Sequence, residues 1–230
     1  VSHMSRIRNR SRGRYNCHVV IRVPYGGGIK ALEHHSEAPE AYFAHMPGIK
    51  VVIPSTPYDA KGLLKSAIRD PDPVIFFEPK KIYRAIREEV PDDDYTVEIG
   101  KANVRREGDD VTVISWGSMV RNCLEAAEKL SNEVDTEVID LRTISPMDTE
   151  TILSSVGKTG RVVIVHEAPR SFGVGAEISA RISEKALLSL EAPINRVTGY
   201  DVITPYPKLE DYNIPNPARI MKAIKETAEF

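Results

Sequence analysis

Short apolar runs recur along this 230-residue chain, and a helical pattern separates most of them. Val19–Val23, Lys50–Ile53, Val74–Phe77, Val111–Trp116, Thr136–Leu141, Arg161–Val165 and Ile194–Thr198 each read as a strand. Runs that are apolar throughout, rather than alternating, are what a parallel sheet covered on both faces requires. Helices are expected around Ala38–His45, from Pro57 through Ile68, and over Met119–Leu130, Thr149–Val156, Val174–Leu188 and Pro217–Glu229. Ser118, Asp148 and Asn216 are the expected N-caps, and Pro24 and Pro54 the expected strand ends. The fold class is therefore α/β with mostly parallel sheet, each crossover right-handed. Between Glu78 and Ile99 the text turns to Lys80, Lys81, Arg84, Arg87 and then Pro91-Asp92-Asp93-Asp94, which reads as a connection belonging to neither core.

A net charge of -2 excludes a strongly basic nucleic-acid surface. The one basic cluster, Arg6, Arg8, Arg10, Arg12 and Arg14, reads first as a solvated helix end. Cys17 and Cys123 stand far apart with no metal spacing, which fits a reducing, cytoplasmic compartment. Neither a signal peptide nor an apolar run of membrane-spanning length is visible, so no membrane partner is expected.

Chemistry concentrates in Gly26-Gly27-Gly28-Ile29-Lys30-Ala31-Leu32-Glu33-His34-His35-Ser36. Three glycines after a strand permit positive φ and close approach of another group. They lack the spacing of a dinucleotide or P-loop motif. Ser36 is the expected N-cap of the next helix, which would put His34 and His35 at the positive end of its dipole and favour neutral imidazole. In open α/β sheets ligands bind beyond the carboxyl ends of strands, where this loop falls. An ordinary wet loop with two solvated histidines is the competing reading.

Longer stretches resemble a known family. They are Ile21-Arg22-Val23-Pro24-Tyr25-Gly26-Gly27-Gly28, His35-Ser36 with Pro39-Glu40-Ala41, and Pro47-Gly48-Ile49-Lys50-Val51-Val52-Ile53-Pro54. Asp59-Ala60-Lys61-Gly62-Leu63-Leu64, Phe77-Glu78-Pro79-Lys80, Val138 to Pro146 and His166-Glu167-Ala168-Pro169 continue the match. Together they closely resemble the β subunit of thiamine-diphosphate-dependent 2-oxoacid dehydrogenases, in the decarboxylating component of pyruvate, branched-chain or acetoin complexes. The resemblance implies two units: residues 1–90, the later part of a pyrimidine-binding domain, and residues 91–230, a transketolase C-terminal-like domain.

It further implies oxidative decarboxylation of a 2-oxoacid with acyl transfer to a lipoyl group, in an α2β2 assembly with an α subunit, β–β self-association and a lipoyl acyltransferase core as partners. The cofactor would be thiamine diphosphate with Mg2+, held mainly by the α subunit and by an N-terminal third that this chain lacks. That third would carry the glutamate facing the aminopyrimidine ring. The expectation is thus a chain inactive alone, and oligomeric or poorly soluble because early strands are absent. His35, rather than His34, maps to the active-site histidine; Glu37-Ala38 replaces the commoner Gln-Ser. Asp70 and Asp72 read as turn residues and as candidates near a structural K+. His45, His166, Glu167, Asp140 and Arg142 read as structural. The location implied is the cytoplasm of a bacterium or archaeon, or a mitochondrial matrix. A binding module that only docks the acyltransferase core, and a transketolase-like fragment, are the alternatives.

Overall fold

The apolar runs become two parallel-rich sheets in the computed structural model, which describes residues 1–230. The first holds β1 (Val20–Tyr25), β2 (Lys50–Val52), β3 (Val74–Pro79) and β7 (Thr143–Ser145) in the order β1-β3-β2-β7. Here β1, β3 and β2 are mutually parallel and β7 runs antiparallel against β2. The second holds β4 (Asn103–Arg106), β5 (Val111–Ser115), β6 (Thr136–Asp140), β8 (Val162–Pro169) and β9 (Asn195–Gly199) in the order β4-β6-β5-β8-β9. Only β4 is antiparallel there.

Long helices cover these sheets: α4 (Pro57–Arg69), α5 (Ser118–Lys129), α6 (Thr149–Thr159), α7 (Val174–Ala186) and α9 (Pro217–Ala228). Their starts follow local chemistry. Thr56, Asp148 and Asn216 each accept a hydrogen bond from the backbone amide three residues on, and Pro57 and Pro217 occupy first-turn positions that need no amide. The α5 cap is Gly117 rather than Ser118. At φ +58, with the place of a Cβ only 2.6 Å from the Tyr25 hydroxyl, that position admits no side chain. Shorter helices are α1 (Ile7–Arg10), α2 (Leu32–His35), α3 (Glu40–Ala44) and α8 (Glu210–Asn213). No helix is long and apolar enough to cross a membrane.

Two further expectations fail. Pro24 does not end its strand but lies within it, paired to Glu78. Because β1 is the sheet edge, the missing amide breaks no ladder bond. The stretch before β4 is not a free connection either. Val97 is buried with Val52, Leu63, Ala67, Val74 and Phe76, Tyr95 stacks on Tyr58 at 4.4 Å, and Asp94 pairs with Lys65 and Arg69. Gly62 makes this possible, since a Cβ there would lie 2.5 Å from Val97.

The largest apolar cluster joins both sheets. Tyr25, Val51, Ile53 and Phe77 from the first meet Ile114, Trp116, Ile139 and Leu141 from the second. A buried polar seam fastens the same junction. Asp59 and Arg142 form an ion pair with contacts of 2.6 and 3.0 Å. The Asp140 carboxylate accepts from the Arg142 amide at 3.0 Å and from the Ser55 hydroxyl. Burial pushes the Asp140 carboxyl up to about 6. Arg142 sits at φ +56, and its carbonyl accepts from the Ile53 amide at 2.8 Å. Asp140 and Arg142 therefore brace the junction of the two sheets.

Candidate active-site loop

Beyond the carboxyl end of β1 the backbone turns through Gly26 (φ +91), Gly28 (φ +90), Lys30 (φ +61) and Leu32 (φ +48). Alternation of left-handed residues with ordinary ones turns amides toward common concavities that favour anions. Carboxylates of the second unit fill them. The Gly27 amide donates to Glu167 at 2.5 Å and the Lys30 amide to Glu210 at 2.9 Å. Glu167 also accepts from the Ser118 hydroxyl at 2.8 Å. Side chains on the glycines would collide with this packing: a Cβ on Gly27 would lie 2.5 Å from Ile214, and one on Gly28 2.6 Å from Lys81. The close approach that the triple glycine permits is thus an approach of protein to protein.

Ser36 does not open a helix. It caps the end of α2, its hydroxyl accepting from the Ala31 amide at 2.9 Å and its amide donating to Leu32. His34 and His35 stand in the last turn of a one-turn helix, so the expected influence of a helix N-terminus on them does not arise. Competition from the Ser36 side chain within the loop explains the difference, since serine offers the backbone an alternative to helix. His34 is exposed, 3.8 Å from Glu33, and His35 is half-buried. Glu37 turns to Thr204, its carboxylate accepting from that hydroxyl at 3.4 Å, while its carbonyl accepts from the Gly26 amide.

Behind the loop lies a group of buried polar side chains. Glu40, in the first turn of α3, accepts from the Trp116 indole at 3.2 Å, and its second oxygen has no partner. Burial lifts this carboxyl to about 8. Burial likewise raises Glu167 and, with the nearby Glu40 charge, raises the Tyr25 hydroxyl. His166 stacks on Trp116 at 5.3 Å, with Gly173 and Gly175 making room for its ring. Burial pushes it down to about 4, so it stays neutral near pH 7. His166 and Glu167 are buried, and His45 caps α3 through its backbone.

Asp70 and Asp72 are not brought to the loop. Asp70 pairs with Lys50 at 2.5 Å and accepts from the Asp72 amide at 2.9 Å, while Asp72 pairs with Arg8 at 2.9 Å. The Asp70 carbonyl contacts His18 at 3.0 Å, and that of Pro71 accepts from the Cys17 amide. Both aspartates act as turn and ion-pair residues. No group of three His, Cys, Asp or Glu side chains is placed to hold a metal ion. Glu210 and Trp116 escape the sequence reading. A carboxylate set among Ala38, Ala41 and Phe43 was the available signal for Glu40; Glu210 gives none.

Comparison with known proteins follows this division. The family described as "Transketolase, pyrimidine binding domain" matches residues 1–86, and "Transketolase, C-terminal domain" matches residues 100–220. The pyruvate dehydrogenase E1 component subunit beta of Acholeplasma laidlawii is 53% identical over 230 residues, all of this chain and 70% of that protein. Its counterpart in Bacillus subtilis (strain 168) is 49% identical over 228 residues, covering 99% of this chain and 70% of that protein. Among solved structures, a split gene transketolase described as an inactive beta4 tetramer superposes with a TM-score of 0.76 at 25% identity, over 93% of this chain and 67% of that one. The chain belongs to the β-subunit family of the thiamine-diphosphate-dependent 2-oxoacid dehydrogenase decarboxylating component.

Proposed function

We propose that the chain is the β subunit of a pyruvate-oxidising component, in which His35 serves acyl transfer to a lipoyl group. The observation that carries this is a half-buried histidine on a loop fixed at the carboxyl end of a parallel sheet, in a chain about half identical to pyruvate dehydrogenase β subunits. That identity favours pyruvate over branched-chain 2-oxoacids.

The residues present do not complete a seat for thiamine diphosphate. Glu40 is wholly buried against Trp116, and Glu167 and Glu210 are committed to the loop amides. In this reading the cofactor and its Mg2+ rest mainly on an α subunit and on the part of the relatives' length that this chain does not span, so the chain alone has no turnover. The Asp70 and Asp72 carboxylates are paired with Lys50 and Arg8, so a monovalent cation near this turn would take backbone oxygens as its ligands. His35 serves as a hydrogen-bonding or acid–base residue beside the lipoyl arm, and Glu167 and Glu210 remain behind the loop. The two units are residues 1–90 and 91–230, with residues 94–97 and β7 packing back onto the first, and they work in the cytoplasm with both cysteines reduced and buried.

The test joins the chain to the part of a relative's β subunit that it does not span, reconstitutes it with an α subunit, thiamine diphosphate and Mg2+, and follows 2-oxoacid-dependent ferricyanide reduction. Pyruvate turnover is expected. Preference for a branched-chain 2-oxoacid, or no turnover with intact binding to the acyltransferase core, overturns the assignment.

A further inference from the structure

The loop that carries His35 is held by two glutamates that lie far from it in sequence. Bonds within the loop, from the Gly26 amide to Glu37 and from the Ala31 amide to Ser36, close it on itself without fixing its orientation. The orientation comes from the second unit. Glu167 extends from β8 to the Gly27 amide at 2.5 Å, and Glu210 from α8 to the Lys30 amide at 2.9 Å. Glu167 is 8% exposed and Glu210 2%, so neither bond competes with bulk water. The contact of Thr204 with Glu37, at 3.4 Å, lies on the exposed rim.

We propose that Glu167 and Glu210 are positioning residues, whose carboxylates grip two amides of the loop and thereby set the pose of His35. The left-handed backbone at Lys30 and Leu32 supports this, because non-glycine residues hold such angles only where surrounding bonds over-determine them. Amide bonds to carboxylates are the stronger class of hydrogen bond and suit that task. Glycine at position 27 is then required because the grip brings Ile214 within 2.5 Å of any Cβ. The inference rests on the proposed role of His35.

The test uses the chain joined to the part of a relative's β subunit that it does not span, reconstituted with an α subunit and thiamine diphosphate, and carrying Glu167→Ala or Glu210→Ala, with Glu167→Gln and Glu210→Gln as the conservative pair. Amide hydrogen exchange is read at residues 27 and 30, together with acetyl transfer to a lipoyl acceptor. Each alanine variant is expected to speed exchange at its own loop amide by about 10-fold or more, with protection in β5 and β8 unchanged. It is also expected to lower kcat for acyl transfer more than it lowers pyruvate-dependent ferricyanide reduction. Glutamine, which keeps an acceptor oxygen, should restore both. Unchanged exchange at 27 and 30, or exchange that rises equally through β5 and β8, overturns the grip. Faster loop exchange with undiminished acyl transfer overturns the control of His35. If His35→Ala also leaves transfer intact, it is the functional reading of His35 that has failed, and the grip stands apart from it.

Discussion

The Trp116 indole donates to the Glu40 carboxyl at 3.2 Å, joining the end of β5 to the first turn of α3 inside the shared core. One carboxyl oxygen is satisfied and the other is not, so this bond lies at the most pH-sensitive point of the junction.

Glu40 ordinarily titrates near 4.5 and here titrates at about 8. Between those values the folded chain holds a proton that the unfolded chain has released, so stability falls as pH rises and the loss is complete above 8. Asp140, raised to about 6, acts in the same sense over a lower range. His166, lowered from 6.5 to about 4, acts in the opposite sense, adding stability as pH climbs through that interval. The window from pH 6.5 to 8 excludes Asp140 and His166, and because Glu167, raised by burial beside Glu40, acts in the same sense, the Glu40 share is read by substitution. Urea denaturation should show stability falling there by up to about 1.4 kcal/mol per pH unit, and Glu40→Gln should flatten the fall. Equal slopes in both proteins would refute this account.

Arg142→Met leaves the Asp59 carboxylate buried without its ion-pair partner. A loss of about 3–5 kcal/mol is expected by chemical denaturation. Adding Asp59→Asn removes the stranded charge and should recover part of that loss, a coupling that a double-mutant cycle measures.

Two glycines should respond oppositely to alanine. Gly117→Ala places a methyl 2.6 Å from the Tyr25 hydroxyl at φ +58, and should cost about 1–3 kcal/mol. Gly157 lies in α6 with nothing within 4 Å of a Cβ, and alanine there should stabilise by about 0.5–1 kcal/mol. Thermal melts of the pair decide, and a shift of the same sign in both would count against the steric reading.

For the reconstituted assembly, His35→Ala should lower acyl transfer by about 100-fold. His34→Ala, at an exposed position, should stay near the parent rate. Steady-state assays with a free lipoyl acceptor compare them directly. Comparable losses in both would remove the distinction between the two histidines.

Much of the architecture could be read from the sequence because continuous apolar runs and capped amphipathic helices are local signals. Helix α9 begins at Pro217 behind Asn216, and α6 at Thr149 behind Asp148, as their side chains dictate. Strands β4 and β7 were missed because Asn103-Val104-Arg105-Arg106 and Thr143-Ile144-Ser145 are too short and polar to show a period. The role of Ser36 was misread because an N-cap and a loop acceptor use the same hydroxyl. Glu210 was invisible because its bond to Lys30 spans 180 residues. The candidate histidine was therefore legible, whereas the groups that hold its loop were not.

Strand β7 carries a consequence for how the chain comes into being. It supplies an edge of the first sheet, yet it is made only after β4, β5 and β6 of the second. On a ribosome, the earliest strands must wait for a ribbon translated much later, and the long loop so closed slows that pairing. A protease that cut the backbone between residues 86 and 92 would likewise release no free half. The two pieces would stay laced together until the chain unfolds.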